Sequence, residues 1–106
     1  MSGLVRVGSG NDAGRRPLKR GRRPQHPGQF LDSRFLQPLA LSQDALATAL
    51  GISRRRVNEI VNGRRGLTAD TALRLARYFG TGPELWLHLQ AAWDLHIARQ
   101  QFDGRT

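Results

Sequence analysis

Hydrophobic residues recur at helical spacing from about residue 30 onwards, whereas the first 29 residues show no such period. Five segments carry the helical pattern, and they cover roughly residues 31–39, 43–50, 54–61, 69–79 and 83–100. None of them alternates with the period of two that strands require. The pattern predicts an all-α domain of five helices over residues 30–100, preceded by a disordered segment at 1–29 and followed by a short tail at 101–106.

Polar and glycine residues between the hydrophobic segments mark where the predicted helices begin and end. Ser42, Ser53 and Thr68 each precede a hydrophobic segment, and their hydroxyls can accept a hydrogen bond from the first free N–H groups of a helix. Gly51 and Gly80 follow such segments, where glycine readily adopts the left-handed conformation that ends a helix. These positions favour the same helix boundaries as the hydrophobic pattern.

The second and third helices are separated only by Gly51, Ile52 and Ser53. Two helices joined by a tight turn that contains glycine form a helix-turn-helix motif, as in the lambda repressor. The small core between the two helices is predicted to contain Leu46, Leu50, Ile52, Val57 and Ile60.

The third helix contains three consecutive arginines, Arg54–Arg56. With Val57 at the centre of its buried face, a step of about 100° per residue places Arg55 and Glu59 on the opposite side. Arginine, asparagine and glutamate on an outward face suit the reading of DNA in the major groove. An ordinary solvated helix with an Arg55–Glu59 pair is the alternative. The predicted DNA-binding residues are Ser42, Gln43, Ser53, Arg54, Arg55, Arg56, Asn58, Glu59, Asn62, Arg64 and Arg65.

Positive charge dominates the composition, with 17 Lys and Arg against 8 Asp and Glu. The net charge of +9 indicates a polyanionic partner, either nucleic acid or an anionic membrane surface. Six of these net charges lie in residues 1–29, a segment rich in Gly, Pro and Arg that cannot bury enough apolar surface to fold. This segment is either a basic arm that follows DNA phosphates, or a solubilising tail, or the product of a start codon assigned too far upstream.

Several classes of function find no support in the sequence. Without cysteine, the chain can form neither disulfides nor a cysteine-based zinc site. His88 and His96 have no carboxylate at metal-ligand spacing, and we find no catalytic triad, paired acids or phosphate-binding glycine motif. We therefore expect no enzyme activity, metal or cofactor. The absence of a long apolar run and of a signal-peptide core predicts a cytoplasmic protein without a membrane span.

The last predicted helix has apolar residues around much of its circumference. Trp86, Leu89, Trp93 and Ile97 form one stripe. The apolar surface is extended around the helix by Leu85, Ala92, Leu95 and His96. A domain this small can hardly bury both sides, so one side is predicted to face a second copy of the chain. The alternative is that both tryptophans complete the core of a single chain. The predicted dimerisation residues are Leu85, Trp86, Leu89, Trp93, His96 and Ile97.

Three stretches, "HPG" at 26–28, "VNEIVNGRRGLTADTALRLARYFGT" and "PELWLHLQAAWDL", resemble HigA-type antitoxins of the XRE, or phage-repressor-like, helix-turn-helix family. The resemblance covers about residues 26–99. It implies a homodimer that binds a palindromic operator in double-stranded DNA, represses its own operon and neutralises a co-encoded RelE- or HigB-like toxin that cleaves mRNA. Arg54 and Arg55 depart from the family pattern and make the third helix more basic. A regulator without a toxin partner is the alternative, and a neighbouring small basic open reading frame would distinguish the two.

Overall fold

A computed structural model of the protein describes residues 23–104, and these form five helices and no strand. Helix α1 is continuous and consists of Pro27–Leu31, a π-helical turn at Asp32–Leu36 and Gln37–Leu39. The remaining helices are α2 Gln43–Leu50, α3 Arg54–Val61, α4 Ala69–Phe79 and α5 Pro83–Gly104. The predicted all-α class is confirmed. Most of the predicted disordered segment, residues 1–22, lies outside the described residues.

The outer boundaries of the domain differ from those predicted. Helix α1 begins at Pro27 and not near residue 31, because His26 serves as its N-cap: the imidazole Nδ1 accepts a hydrogen bond from the Gly28 N–H at 2.9 Å. Residues 27–29 therefore belong to the folded domain. Helix α5 continues to Gly104, so residues 101–104 are helical and not a tail. No helix in the part of the chain that the structure describes is long and apolar enough to cross a membrane.

The π-helical turn of α1 lies just before Pro38. In a regular α-helix, the proline ring would clash with the carbonyl of Arg34, and proline has no N–H to donate to it. The wider turn, in which the Gln37 N–H donates to the carbonyl of Asp32, accommodates the proline without ending the helix.

The predicted caps of the inner helices are confirmed. The hydroxyls of Ser42 and Ser53 accept hydrogen bonds from the Ala45 and Arg56 N–H groups at 3.0 Å, and Thr68 accepts from Thr71 at 3.3 Å. Gly51 and Gly80 have φ of 73° and end α2 and α4 in the left-handed conformation. Because these caps satisfy free backbone groups locally, the short helices α2 and α3 have well-defined starting points.

The predicted core between α2 and α3 is also confirmed. Leu46, Leu50, Val57 and Ile60 are buried, and Ile52 packs against them. Outside this core, Leu73 of α4 is 48% exposed. The apolar residues of α4 occupy two adjacent sides of the helix. The rest of the domain packs against only one of them, the side that carries Ala72 and Leu75.

Gly28 brings the start of α1 into direct contact with the end of α3. A Cβ atom at this position would lie 1.7 Å from the carbonyl oxygen of Ile60, so any larger residue would push the two helices apart. His26 lies beside the same end of α3, 3.7 Å from the position of a Cβ on Gly63. The stretch "HPG" is therefore a capped helix start that packs backbone to backbone against α3.

Trp86 lies in the aromatic core of its own chain and not on a surface open to a partner. Its side chain is completely buried, its ring contacts Phe30, Phe35 and Phe79 at centroid distances of 5.7, 5.5 and 6.4 Å, and its Nε1–H donates to Thr81 Oγ1 at 2.8 Å. The prediction that Trp86 forms part of a dimer interface is therefore wrong. The intramolecular alternative holds for this residue because aromatic side chains of α1 and α4 enclose it.

The other predicted dimerisation residues on α5 differ in how far the domain covers them. Leu89 packs against the core, and Trp93, His96 and Ile97 are half-buried. Trp93 meets the imidazole of His26 edge to face at a centroid distance of 5.4 Å. Leu85 is 36% exposed, as is Leu87 two residues on.

Stability should depend on pH through His26. Burial against Trp93 lowers the pKa of His26 below its usual 6.5, although the carboxylate of Asp94 partly opposes this shift. Protonation would also place a second donor against the Gly28 N–H. Because the folded pKa is the lower one, the stabilisation is complete above about pH 6.5 and is lost as the pH falls through the folded pKa.

Urea unfolding at a series of pH values tests this prediction, with His26→Asn as the comparison. Asparagine can still cap the helix but does not titrate. We expect the wild type to lose more of its unfolding free energy than the variant between neutral and mildly acidic pH. Parallel pH profiles for the two proteins would contradict the prediction.

Candidate nucleic-acid interface

The turn between α2 and α3 is fixed from behind by α4. Arg74 donates through Nη1 to the carbonyl of Leu50 at 2.8 Å and through Nε to Asp70 Oδ2 at 2.9 Å. One arginine thus caps the last turn of α2 and ties it to the start of α4. As a result, α2 and α4 are held together behind α3, whose arginine-bearing side is directed outward.

The three arginines of α3 lie in different surroundings. The side chain of Arg55 is 86% exposed, and that of Arg54 is 65% exposed and forms an ion pair with Asp44 of α2 at 3.1 Å. Arg56 is turned sideways towards Asp70 of α4, at 4.0 Å, and is 38% exposed. Exposed ion pairs contribute only about 0.2–1 kcal/mol, so these arginines can exchange their carboxylate partners for phosphates at small cost.

Glu59 connects the exposed face of α3 with the turn that follows it. Its carboxylate accepts from Arg55 Nε at 3.2 Å and from Arg65 Nη2 at 2.8 Å. The hydrogen bond from Arg65, together with the weaker one from Arg55, lowers the pKa of Glu59 below its usual value. Glu59 therefore remains ionised at neutral pH and can hold the guanidinium of Arg55 in a defined direction.

Amide side chains form a second connection across the motif. Asn58 Nδ2 donates to Gln43 Oε1 at 3.1 Å, and Asn62 Nδ2 donates to Asn58 Oδ1 at 3.2 Å. Gln43 is the first residue of α2, so this chain of amides fixes the beginning of α2 relative to the exposed side of α3. Each amide retains donor or acceptor capacity that a base edge or a phosphate can use.

Six of the eleven predicted DNA-binding residues thus lie in two hydrogen-bonded groups, Gln43–Asn58–Asn62 and Arg55–Glu59–Arg65. Ser42 and Ser53 are helix caps, Arg54 and Arg64 are exposed, and Arg56 is set apart towards α4. Asp44 and Asp70 pair with these arginines but are absent from the predicted set. Helical periodicity could not identify these two aspartates, because it relates residues within one helix whereas each aspartate pairs with an arginine of another helix.

The arrangement can recognise a polyanion but offers no reaction chemistry. Arginine forks and amides lie along the exposed side of α3 and on its flanks, and the positive end of the helix dipole at Arg54 also favours phosphate. Within residues 23–104, no group of three or more His, Asp or Glu side chains is placed to hold a metal ion. The site is a binding surface.

Comparisons with known proteins agree with this geometry. A helix-turn-helix family model matches residues 34–86. The chain is 55% identical over 75 residues to virulence-associated protein I of Dichelobacter nodosus, covering 71% of this chain and 69% of that protein. It is 40% identical over 84 residues to antitoxin HigA-1 of Vibrio cholerae, covering 79% of each.

A solved structure extends the likeness from sequence to fold. The Pseudomonas aeruginosa antitoxin HigA, determined with the higBA promoter, superposes with a TM-score of 0.75 at 42% sequence identity. The superposition covers 78% of this chain and 90% of that antitoxin. Similarity at this level in both sequence and structure identifies the family. The chain belongs to the HigA-type antitoxins of the XRE helix-turn-helix family, whose members bind DNA and are not enzymes.

Proposed function

We propose that the protein is an antitoxin that binds a palindromic operator as a homodimer, represses its own operon and neutralises a co-encoded RelE-like toxin that cleaves mRNA. The observation that carries the proposal is the exposed face of α3, where Glu59 holds Arg55 outward beside Asn58. Support also comes from the similar Pseudomonas aeruginosa HigA, which was solved with its promoter.

Arg55 is the proposed base-reading residue. Its guanidinium is the most exposed of the three on α3, and its planar fork can pair with both O6 and N7 of a guanine in the major groove. Glu59 restrains the fork, which reduces the conformational entropy lost on binding, and it can itself accept from a cytosine amino group.

The surrounding basic residues are proposed to contact the DNA backbone. Arg54 lies at the N-terminal end of α3, and Arg56 leans towards α4. Arg64 and Arg65 follow α3 in an exposed turn, and Gln43 begins α2. These positions flank Arg55 on both sides, where the two phosphate strands border the groove, and such contacts fix register without reading sequence.

Arg55→Ala and Arg56→Ala should have different effects on DNA binding. We expect Arg55→Ala to cost about 1–3 kcal/mol at the operator and to relax selectivity at one base pair per half-site. Arg56→Ala should weaken operator and random DNA alike and reduce the dependence of affinity on salt. Both affinities can be measured by fluorescence anisotropy on DNA from upstream of the gene and on its single-base variants.

The two arginine variants act as controls for each other, because each removes one charge from the same helix. Uniform weakening by Arg55→Ala, combined with an altered base preference in Arg56→Ala, would mean that the reading residue has been assigned to the wrong side of α3. If the wild type bound upstream and random DNA equally well, the proposal that an operator lies upstream of the gene would be contradicted.

A second copy of the chain is proposed to cover the exposed side of α5. Leu85, Ala92, Leu95 and Phe102 fall within a stripe of about 100° on this helix, apart from the side that Trp86 buries. Leu95 and Phe102 are 53% and 69% exposed, which is unusual for large apolar residues so close together on one helix. Two-fold pairing could place two α3 helices about 34 Å apart, which is one turn of DNA.

Neutralisation of the toxin is proposed to use a surface other than the outer face of α3. Arg55→Ala should then lose repression while the protein still co-purifies with the product of the adjacent toxin gene and restores growth when that gene is expressed. If Arg55→Ala lost both repression and toxin neutralisation at normal protein levels, the proposal that DNA and toxin bind separate surfaces would be contradicted. The absence of any adjacent gene for a small basic protein would favour a regulator without a toxin.

A further inference from the structure

The turn between α3 and α4, Gly63–Gly66, carries Arg64 and Arg65 away from the end of α3. Gly63 adopts a left-handed conformation with φ of 76°, and the Arg64 N–H donates to the carbonyl of Glu59 at 2.8 Å. The left-handed Gly63 and the hydrogen bond from Arg64 together fix the beginning of the turn. The position of its two arginines also depends on where the other end of the turn is held.

Helix α5 holds that other end through one side chain. Gln90 Oε1 accepts a hydrogen bond from the backbone N–H of Leu67 at 2.7 Å. Gln90 Nε2 donates to Asp94 Oδ1 at 2.9 Å, which orients the amide so that its oxygen faces Leu67. Leu67 is itself buried in the core, so this hydrogen bond connects the core, α5 and the turn.

The contact between Gln90 and the turn leaves no spare room. A Cβ atom on Gly66 would lie 3.0 Å from Gln90 Nε2 and 3.1 Å from Oε1. The absence of a side chain at Gly66 therefore allows the amide to reach Leu67. Gly66 and Gln90 lie far apart in the sequence, and its periodicity gives no sign that they meet.

We propose that Gln90 is a positioning residue for DNA binding, although it lies on α5 and outside the helix-turn-helix. By fixing the Leu67 N–H, it sets the path of the turn so that Arg65 reaches Glu59 and both turn arginines border α3. The proposal rests on the proposed function, because Arg64 and Arg65 matter here as phosphate contacts. It adds a residue from another helix to the determinants of affinity.

Gln90→Leu keeps the approximate size of the side chain but removes the acceptor for Leu67. We expect it to weaken binding to upstream DNA and to a random-sequence duplex by the same factor, so that the ratio of the two affinities stays constant. The slope of log K against log salt should fall by about 0.9 for each phosphate that the protein no longer neutralises, and therefore by up to about 1.8 per chain. A residue that only stabilised the fold would leave this slope unchanged in the folded protein.

Two further variants approach the same contact from other directions. Gly66→Ala should displace the Gln90 amide from the turn side and reproduce the reduced slope without any change in α5. The double variant Gln90→Glu with Asp94→Asn leaves the net charge unchanged. Residue 90 still offers an acceptor to the Leu67 N–H, and the amide at position 94 can donate to residue 90. This variant should therefore show the wild-type slope. Gln100→Leu, the same substitution at an exposed position of α5, is the matched control.

Circular dichroism first establishes that each variant is folded. If Gln90→Leu does not fold, Gly66→Ala decides the question. A wild-type salt slope in a folded Gln90→Leu or Gly66→Ala protein would overturn the proposal, as would a changed base preference at constant slope. A wild type that fails to bind either duplex would instead contradict the proposed function, so the two failures are distinguishable.

Discussion

Replacing Trp86 with alanine should lower the free energy of unfolding by about 3–5 kcal/mol. The indole is completely buried among Phe30, Phe35 and Phe79, and its removal leaves a cavity that helices fixed by caps and by the Gly28 contact can only partly close. Small domains have total stabilities of about 5–15 kcal/mol, so this loss would bring the variant close to unfolding at ambient temperature. Urea titration followed by circular dichroism measures it.

Trp93→Ala is the matched control. It removes the same side chain from the same helix, but at a half-buried position where the ring contacts His26. We expect a clearly smaller loss of stability for this variant than for Trp86→Ala. Equal losses, or a larger loss for Trp93→Ala, would mean that Trp86 is not the centre of the core.

If the proposed homodimer forms through α5, replacing Leu95 with aspartate should convert it into monomers and weaken operator binding by about 10²-fold or more. Leu95 is exposed in the single chain, so the substitution leaves the core intact but places a charge within the proposed contact between two copies. Once the copies separate, the second half-site no longer benefits from the high effective concentration that linkage provides. Sedimentation velocity and operator titration measure the two effects.

Leu73→Asp is the control for this variant. Leu73 is a leucine of similar exposure on α4, 48% against 53% for Leu95, and the substitution adds the same charge. It should leave the proposed homodimer intact and alter DNA binding only through its charge. A Leu95→Asp protein that sediments like the wild type would show that the exposed side of α5 is not the contact between copies.

Features that depend on residues close together in the sequence could be predicted. The caps Ser42, Ser53 and Thr68 form hydrogen bonds within their own first turns, so the residue type and its position are enough to identify them. The Arg55–Glu59 pair depends on a spacing of four residues within one helix. The helix-turn-helix combines such local signals, which is why both its place in the chain and its core were predicted correctly.

Features that depend on contact between distant segments could not be predicted in the same way. The pattern of α5 is apolar on more than one side, and it contains no information about which side the chain itself covers. The packing of Phe30, Phe35 and Phe79 around Trp86 in the folded chain decides this. For the same physical reason, the hydrogen bond between Gln90 and Leu67 and the ion pair between Arg54 and Asp44 emerge only from the folded structure.

Guanine methylation interference on the DNA upstream of the gene tests the central claim, that Arg55 reads a guanine from the exposed face of α3. A methyl group on N7 in the major groove removes one of the two acceptors that the arginine fork requires. For the wild type, we predict one guanine in each of two symmetric half-sites whose methylation blocks binding. Arg55→Ala should bind more weakly but become insensitive to methylation of that guanine. If the same guanine interferes equally with both proteins, Arg55 does not contact it and the assignment of the reading face is contradicted.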